Sequence, residues 1–213
     1  MKNNVSPEID RKVFFNQVAS GWDEQFVNAD LADFLKTLVP RFNLASGQKV
    51  LDLGTGTGVL IPYLVQAVGP SGLIVAVDFA EKMVEICRRK YSGLSNVKIE
   101  LQNAEELDFP QDYFDAITCF GLFPHIGNKQ RALFKMNRVL KRGGKLIIAH
   151  ALSSHEMKVH HHTVSSAVAS DVMPGEKEMK QLLKRAGFAI PHIEDESGRY
   201  LCIVTKMLQV GVL

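Results

Sequence analysis

The run VLDLGTGTG at residues 50–58 is the segment that most constrains what this chain can fold into. Residues 48–53 have the pattern of a short apolar strand, and a glycine turn and a helical pattern over residues 59–68 follow it. A strand, a glycine turn and a helix in this order let the main chain contact a ligand closely. The alternative is a tight strand-to-helix turn that binds no ligand.

A second apolar strand is predicted over residues 73–77, and it ends at Asp78, twenty residues after the last glycine of the turn. An acidic side chain at this position suits the two hydroxyls of a ribose. The alternative role for Asp78 is to cap the helix that follows. Together the two segments predict a nucleoside-binding α/β domain.

The spacing of the glycines separates two classes of nucleotide site. Dinucleotide folds use G-x-G-x-x-G, whereas the third glycine here comes one residue earlier. Asp52 lies just before the turn, where it would repel a phosphate and attract an ammonium group. These features resemble the class I S-adenosylmethionine (SAM) methyltransferases, whose cofactor carries an amino acid and a sulfonium where NAD carries phosphates. An NAD-dependent enzyme is the competing interpretation.

Length and composition predict one domain with a full core and room for a small helical cap, since the chain has 213 residues and 46% are hydrophobic. No apolar stretch is long enough to span a bilayer, and the N-terminus lacks the apolar centre of a signal peptide. Cys87, Cys119 and Cys202 are widely spaced, which fits buried thiols in a reducing cytosol. We therefore expect a cytoplasmic protein without membrane insertion.

The charge distribution favours a small-molecule partner over a nucleic acid. The net charge is +2, from 25 basic and 23 acidic residues, and the basic clusters at residues 88–90 and 141–142 are short. Nucleic-acid-binding proteins usually carry a larger basic face.

Two helices are predicted before the first strand. Ser6 and Pro7 have the pattern of a helix start, with serine as N-cap, and this helix would run to about Ala19. Asp30 is the predicted cap of a second helix that runs through Leu38. We predict that residues 1–45 form a helical cap over the site and that residues 46–213 form the SAM-binding domain.

Strand and helix patterns alternate from residue 49 onward, which indicates a parallel sheet with helices on both faces. Strands are predicted near residues 49–53, 73–78, 97–103, 114–120 and 144–151. Helices are predicted near residues 58–68, 81–91, 128–140 and 175–186.

The C-terminal region is predicted to form a β-hairpin. Residues 189–196 and 200–209 are strand-like and are separated by only three turn residues, so one of the two strands is antiparallel to the rest. Five parallel strands followed by such a hairpin resemble the class I methyltransferases over residues 46–207. The resemblance implies a three-layer α/β sandwich around a seven-stranded, mostly parallel sheet of Rossmann-like type.

Ligands of open α/β sheets bind outside the carboxyl ends of the strands. The resemblance implies that Asp78 binds ribose, that Phe79 and Met83 pack on adenine, and that Asn103 and Ala104 read the adenine edge. Many members have aspartate where this chain has Asn103, whose amide oxygen still accepts a hydrogen bond, and a turn-forming asparagine is the alternative. The predicted cofactor-binding residues are Asp52, Gly54, Thr55, Gly56, Gly58, Asp78, Phe79, Met83, Asn103, Ala104 and Phe120.

Residues 114–150 resemble the ubiquinone/menaquinone C-methyltransferases and their small-molecule relatives, with a Phe-Gly pair at the end of a strand and a later VLKPGG-like turn in which Arg142 replaces proline. The segment Leu122–His125 differs from the Arg-Asn pair of the quinone enzymes. The [DN]-P-P-[YFW] motif of amino-directed DNA and protein methyltransferases does not follow the fourth strand. Nor does the spacing indicate the aspartate-rich metal site of catechol-type O-methyltransferases.

Histidine is the natural base for a methyl transfer that also removes a proton near neutral pH. His125 and His150 follow the fourth and fifth strands and are predicted to face the mouth of the pocket, with His125 as the candidate catalytic base. The alternative for His125 is a structural hydrogen-bonding role. By resemblance, Trp22 of the cap would close over the cofactor.

Five of the seven histidines lie within residues 150–162. On a helix, His155 and His160 would be about 140° apart, and His155 and His162 about 10.5 Å apart along the axis, so neither pair suits one ion. We predict no metal site, although one helical histidine together with His125 or His150 is an alternative. By resemblance this segment lines the acceptor site, and the predicted substrate pocket contains Trp22, His125, His150 and His155.

The leading hypothesis is a methyltransferase that uses SAM, releases S-adenosylhomocysteine and acts on a small molecule. The second hypothesis is a SAM- or metal-responsive binding protein of the same fold that lacks turnover.

Overall fold

The structure, a computed structural model, describes residues 7–208, with side chains from residue 11 onward. Seven strands form one sheet in the order β3-β2-β1-β4-β5-β7-β6. The strands are β1 Lys49–Leu53, β2 Leu73–Asp78, β3 Val97–Leu101, β4 Phe114–Phe120, β5 Leu140–His150, β6 His192–Glu196 and β7 Arg199–Thr205. Strands β1 to β5 are parallel, and β7 runs antiparallel to both β5 and β6. The predicted fold class and C-terminal hairpin are confirmed.

Helices cover both faces of this sheet. They are α1 Pro7–Val18, α2 Trp22–Phe26, α3 Ala29–Leu38, α4 Ile61–Val68, α5 Glu81–Lys90, α6 Lys129–Val139, α7 Ser154–Val164 and α8 Glu176–Arg185. Three short 3₁₀ turns occur at Ala19–Gly21, Val39–Phe42 and Phe123–His125. Within residues 7–208, no helix is both long and apolar enough to cross a bilayer.

The core alternates along each central strand, as expected for a sheet that is buried on both faces. Leu51 of β1 packs in the cluster that contains Leu133 of α6 and Leu183 of α8. Its neighbour Val50 packs in the opposite cluster, which contains Leu35 of α3 and Leu64 of α4. The result is the predicted three-layer arrangement.

Two predicted helix starts are wrong, and both differences have local causes. Helix α3 begins at Ala29 because Asn28, not Asp30, is its N-cap; the Asn28 side chain accepts a hydrogen bond from the Leu31 N–H at 2.9 Å. Helix α4 begins at Ile61 rather than near residue 58, because Gly58 has φ of +92° and its N–H closes a turn on the Thr55 carbonyl at 2.8 Å. The predicted cap Ser6 lies outside the described residues.

Helices α1 and α2 lie near the carboxyl ends of β1 and β2, whereas α3 packs on a face of the sheet through Leu35 and Leu38. Helix α1 contacts α5. Asp23 of α2 accepts hydrogen bonds from Thr57 of the glycine loop and, at 2.7 Å, from Lys90 of α5. The N-terminal segment therefore covers the edge at which β1 and β2 end.

Candidate active site

A cavity of about 540 Å³ opens at the carboxyl ends of β1, β2, β4 and β5. A smaller cleft of about 40 Å³ adjoins it beside the end of β3. Both are lined by Gly54, Asp78, Phe79, Leu122 and His125. This is the edge of an open α/β sheet at which ligands bind.

The glycine loop is tied to the neighbouring strand by main-chain hydrogen bonds. The N–H groups of Gly54 and Thr55 both donate to the carbonyl of Val77, at 2.8 and 3.0 Å. Gly56 has φ of +55°, and a Cβ built on it would meet nothing within 4 Å. Its main chain is therefore open to the cavity, which Gly54, Thr55 and Gly56 all line.

Gly58 does not line the cavity or the cleft. A Cβ at this position would lie 2.4 Å from Cε2 of Tyr91 and 2.9 Å from Sγ of Cys87. The Tyr91 hydroxyl also donates to the Gly58 carbonyl at 2.7 Å. The third glycine of the motif therefore allows the loop to pack on α5.

Asp78 joins the glycine loop to the end of β2. Its Oδ2 accepts from the Gly56 N–H at 2.9 Å, and its Oδ1 accepts from the Ala80 N–H at 2.9 Å. The N-cap of α5 is Ala80, so Asp78 is not the cap of that helix. Burial raises the pKa of Asp78. Because Asp78 lines the cavity and the cleft, its remaining lone pairs can accept from the hydroxyls of a ligand.

Asp52 lies behind the glycine loop and does not line the cavity or the cleft. Its side chain points to β4, where the Thr118 hydroxyl donates to Oδ1 at 2.8 Å. Asp52 is 1% exposed, and burial raises its pKa to about 6. The structure therefore places Asp52 against β4 and not on the surface of the cavity.

The other predicted cofactor residues lie around the opening. Phe79 lines both spaces, Met83 lines the cavity, and Asn103 and Ala104 line the cleft. Asn103 Oδ1 accepts from the Glu105 N–H at 2.9 Å, so the turn-forming role is present.

Aromatic side chains form the outer wall of the cavity. The ring of Trp22 lies 4.5 Å from that of Phe26 and 6.0 Å from that of Phe15, measured between centroids. On the other side, Phe120 lies 6.4 Å from both Phe34 and His150. The N-terminal helices thus contribute Trp22 to the cavity, as the sequence predicts, together with rings that it did not single out.

His125 is held by a buried carboxylate that the sequence did not reveal. Its Nδ1 lies 2.8 Å from Oδ2 of Asp171. Arg11 of α1 donates from Nε to both oxygens of Asp171, at 3.0 and 2.9 Å, and pairs with it through Nη2. Burial lowers the pKa of His125 although Asp171 opposes this shift. Neutral His125 donates Nδ1–H to the carboxylate, which leaves Nε2 as a hydrogen-bond acceptor.

Two further histidines of the cavity lining lie on α7, and neither is the histidine of this helix that the sequence predicts to line the pocket. The predicted pocket residue His155 is exposed and lies outside the lining, whereas His160 and His161 form part of it. A capping box between Ser153 and Glu156 fixes the start of α7. Met157 and His161, four residues apart, then share the buried face.

His150 lines the cavity as predicted. Burial lowers its pKa to about 3, so the ring is neutral at neutral pH. Its Nδ1 is buried without a hydrogen-bond partner among the described residues. No group of three or more histidine, cysteine or acidic side chains within the described range is arranged to hold a metal ion.

Solved structures share this fold. A SAM-dependent methyltransferase from Aquifex aeolicus matches with a TM-score of 0.69 and 23% identity, over 95% of this chain and 100% of that chain. Phosphoethanolamine N-methyltransferase 2 of Haemonchus contortus, solved with phosphomonomethylethanolamine and S-adenosylhomocysteine, matches with a TM-score of 0.77 and 15% identity, over 96% and 61% of the two chains. The fold of this chain is therefore the Rossmann-like α/β fold that these methyltransferases have.

Sequence comparison gives the family. The family model described as a methyltransferase domain matches residues 44–187. The ubiquinone/menaquinone biosynthesis C-methyltransferases of Vibrio vulnificus and Proteus mirabilis are 38% and 40% identical over 142 and 144 residues. Each alignment covers 63% of this chain and 54% or 56% of the relative, so it spans about half of the relative's length. The chain belongs to the SAM-dependent methyltransferase domain family.

Proposed function

We propose that this protein transfers a methyl group from SAM to an uncharged small molecule, with His125 as the base. One observation carries the proposal: the cavity that exposes the glycine loop and Asp78 also contains neutral His125. One half of this cavity, next to the glycine loop and Asp78, would hold the cofactor, and the other half, next to His125, would hold the methyl acceptor. The half that contains the glycine loop and Asp78 would hold SAM.

The residues present fit the cofactor. Asp78 would accept hydrogen bonds from the ribose hydroxyls, and the Gly54–Gly56 loop would contact the methionine end. Phe79 and Met83 would pack against adenine beside Asn103 and Ala104. Bound SAM supplies a methyl group on a positively charged sulfur. Asp52, which does not line the cavity, would add negative charge behind the loop that favours a cationic ligand.

The acceptor half favours an uncharged and partly apolar molecule. Its walls are mainly aromatic and aliphatic, and its histidines His125 and His150 have lowered pKa values because they are buried. His125 would take a proton from the acceptor through Nε2 while Asp171 holds the ring in place. A flat, weakly acidic molecule matches these walls. The quinone relatives also use small acceptors, but the alignment with them covers only about half of their length.

The proposal includes the organisation and location of the protein. Residues 1–45 would act as a cap, which agrees with a family match that begins at residue 44. The free and buried cysteines Cys87, Cys119 and Cys202 fit a reducing cytosol.

The experiment is a calorimetric titration with SAM and with NAD, followed by transfer of labelled methyl to phenols, thiols and quinol precursors. We expect SAM to bind, NAD not to bind, and at least one acceptor to be methylated. Failure to bind SAM would contradict the proposal. Tight binding without turnover across the panel would instead support a non-catalytic SAM-binding protein.

A further inference from the structure

Asp171 contacts two histidines of the cavity through two different groups. Its carboxylate lies 2.8 Å from Nδ1 of His125, and its main-chain carbonyl lies 2.6 Å from Nδ1 of His161. The two imidazole rings are 4.7 Å apart between centroids. One residue of the segment between α7 and α8 therefore positions both rings.

These contacts fix the tautomer of each histidine. A carbonyl oxygen can only accept, so Nδ1 of His161 carries the hydrogen. The Asp171 carboxylate is kept ionised by Arg11, so Nδ1 of His125 donates to it as well. In the neutral form of each ring the lone pair is then on Nε2. Among residues 7–208, neither Nε2 has a hydrogen-bond partner, and both residues line the cavity.

We propose that Asp171 is a positioning residue that aligns His125 and His161 as a pair of hydrogen-bond acceptors, and that the methyl acceptor carries two hydrogen-bond donors to match them. One donor is on the atom that His125 deprotonates, and the other binds His161. The inference rests on the proposed function, because it assigns the substrate class of the same cavity.

The surroundings of His125 and His161 favour a ligand with two hydrogen-bond donors over a ligand with one. Phe15 lies 5.3 Å from the His125 ring, and His161 is only 4% exposed. A molecule that displaces water from this region with a single donor leaves one ring nitrogen unpaired in an apolar environment, which is unfavourable. A molecule with two donors satisfies both nitrogens. Sites of this kind discriminate strongly against analogues that lack a donor.

The two histidines then have different parts in the transfer. As the proton of the acceptor's O–H, N–H or S–H group moves to Nε2 of His125, the electron pair left on that atom forms the bond to the methyl carbon. The pair of the broken carbon–sulfur bond remains on sulfur, which becomes neutral. His161 accepts the second hydrogen bond.

The positioning role is tested by the side-chain ¹⁵N spectra of the histidines, which report tautomers without cofactor or turnover. We expect Nδ1–H tautomers for His125 and His161 in the wild type. In Asp171→Asn, His125 should shift toward the Nε2–H form because the new amide can donate to the ring, whereas His161 should keep its form because the main-chain carbonyl remains. The exposed substitution Asp33→Asn is the control. Nε2–H tautomers of these histidines in the wild type, or a His125 tautomer that is unchanged in Asp171→Asn, would contradict the positioning role of Asp171.

The substrate class is tested by the affinities of catechol, phenol and anisole, which offer two, one and no donors, at saturating S-adenosylhomocysteine. We expect catechol to bind about tenfold more tightly than phenol. In His161→Phe the two should bind within about twofold, because only one acceptor of the His125–His161 pair remains. His162→Phe, at an exposed position of the same helix, should keep the wild-type ratio.

Equal affinities of catechol and phenol for the wild type, a ratio unchanged in His161→Phe, or no catechol binding would each contradict the two-donor class. Failure of the wild type to bind S-adenosylhomocysteine would count against the proposed function instead. The ¹⁵N spectra need neither ligand, so the histidine pair is tested even then.

Discussion

The carboxylate of Asp78 accepts a hydrogen bond from the main-chain N–H of Gly56 at 2.9 Å. The end of β2 therefore holds the loop that follows β1, and the residue proposed to bind ribose also shapes the site for the methionine end. Loss of this carboxylate should affect both parts of the cofactor pocket.

Replacement of Asp78 should weaken cofactor binding. Asp78→Ala removes a charged acceptor of ribose hydroxyls, which should reduce SAM affinity by roughly 1.5–3 kcal/mol. Calorimetry measures the loss, and Asp78→Asn should lose less because its amide oxygen still accepts from Gly56. An unchanged affinity in Asp78→Ala would mean that the ribose lies elsewhere.

Two glycines of the loop should respond differently to alanine. Gly58→Ala forces a Cβ against Tyr91 and Cys87, so we expect a lower melting temperature. Gly56→Ala meets no neighbour within 4 Å and should be less destabilising, although its φ is positive. Its methyl group would enter the open side of the loop and weaken SAM binding. Thermal unfolding and calorimetry separate these effects, and the reverse order of stabilities would contradict this assignment.

The pH dependence of turnover should follow His125. Burial lowers its pKa below 6.5, so the rising limb of kcat should lie on the acid side of that value. Turnover should be independent of pH just above 6.5, because the base is already neutral. His125→Gln should remove the limb and reduce kcat roughly 10²- to 10⁴-fold. A wild-type limb centred well above pH 6.5 would exclude His125 as the base.

Acid should destabilise the protein through His150. Its pKa falls from 6.5 to about 3 on folding, so the unfolded state binds more protons at intermediate pH. The free energy of unfolding should therefore decrease as the pH falls from about 6.5 toward 3, by up to about 2 kcal/mol between pH 7 and pH 5.

Chemical unfolding at several pH values measures this dependence. His150→Phe should have a weaker acid dependence than the wild type, whereas His162→Phe, at an exposed position, should retain it. Parallel curves for the wild type and His150→Phe would show that His150 does not cause the effect.

The sheet and the glycine loop could be predicted because their signals are local. Each strand is a short apolar run, and the loop shows its strand, turn and helix within one segment. Asp78 is recognisable for the same reason, since it ends the strand after the loop. The start of α3 could not be predicted in the same way, because asparagine and aspartate are both good N-caps. The structure uses Asn28 rather than Asp30.

The acceptor side could be predicted only in part. Asp171 lies 46 residues from His125 and 160 residues from Arg11, and only tertiary packing brings them together. The sequence did contain a signal that His161, rather than His155, lies on the buried face of α7. This signal is the Ser153 and Glu156 capping box, which fixes the start of the helix. The hydrogen bond from Thr118 to Asp52 could not be predicted either, because the position of Asp52 before the glycines does not indicate which face of β1 it occupies.

The most direct measurement is a crystal structure of the protein with S-adenosylhomocysteine. We expect the ribose hydroxyls to lie within hydrogen-bonding distance of the Asp78 carboxylate, and the sulfur to face the part of the cavity lined by His125 and His161. A nucleoside bound without contact to Asp78, or a sulfur separated from these histidines by protein, would contradict it.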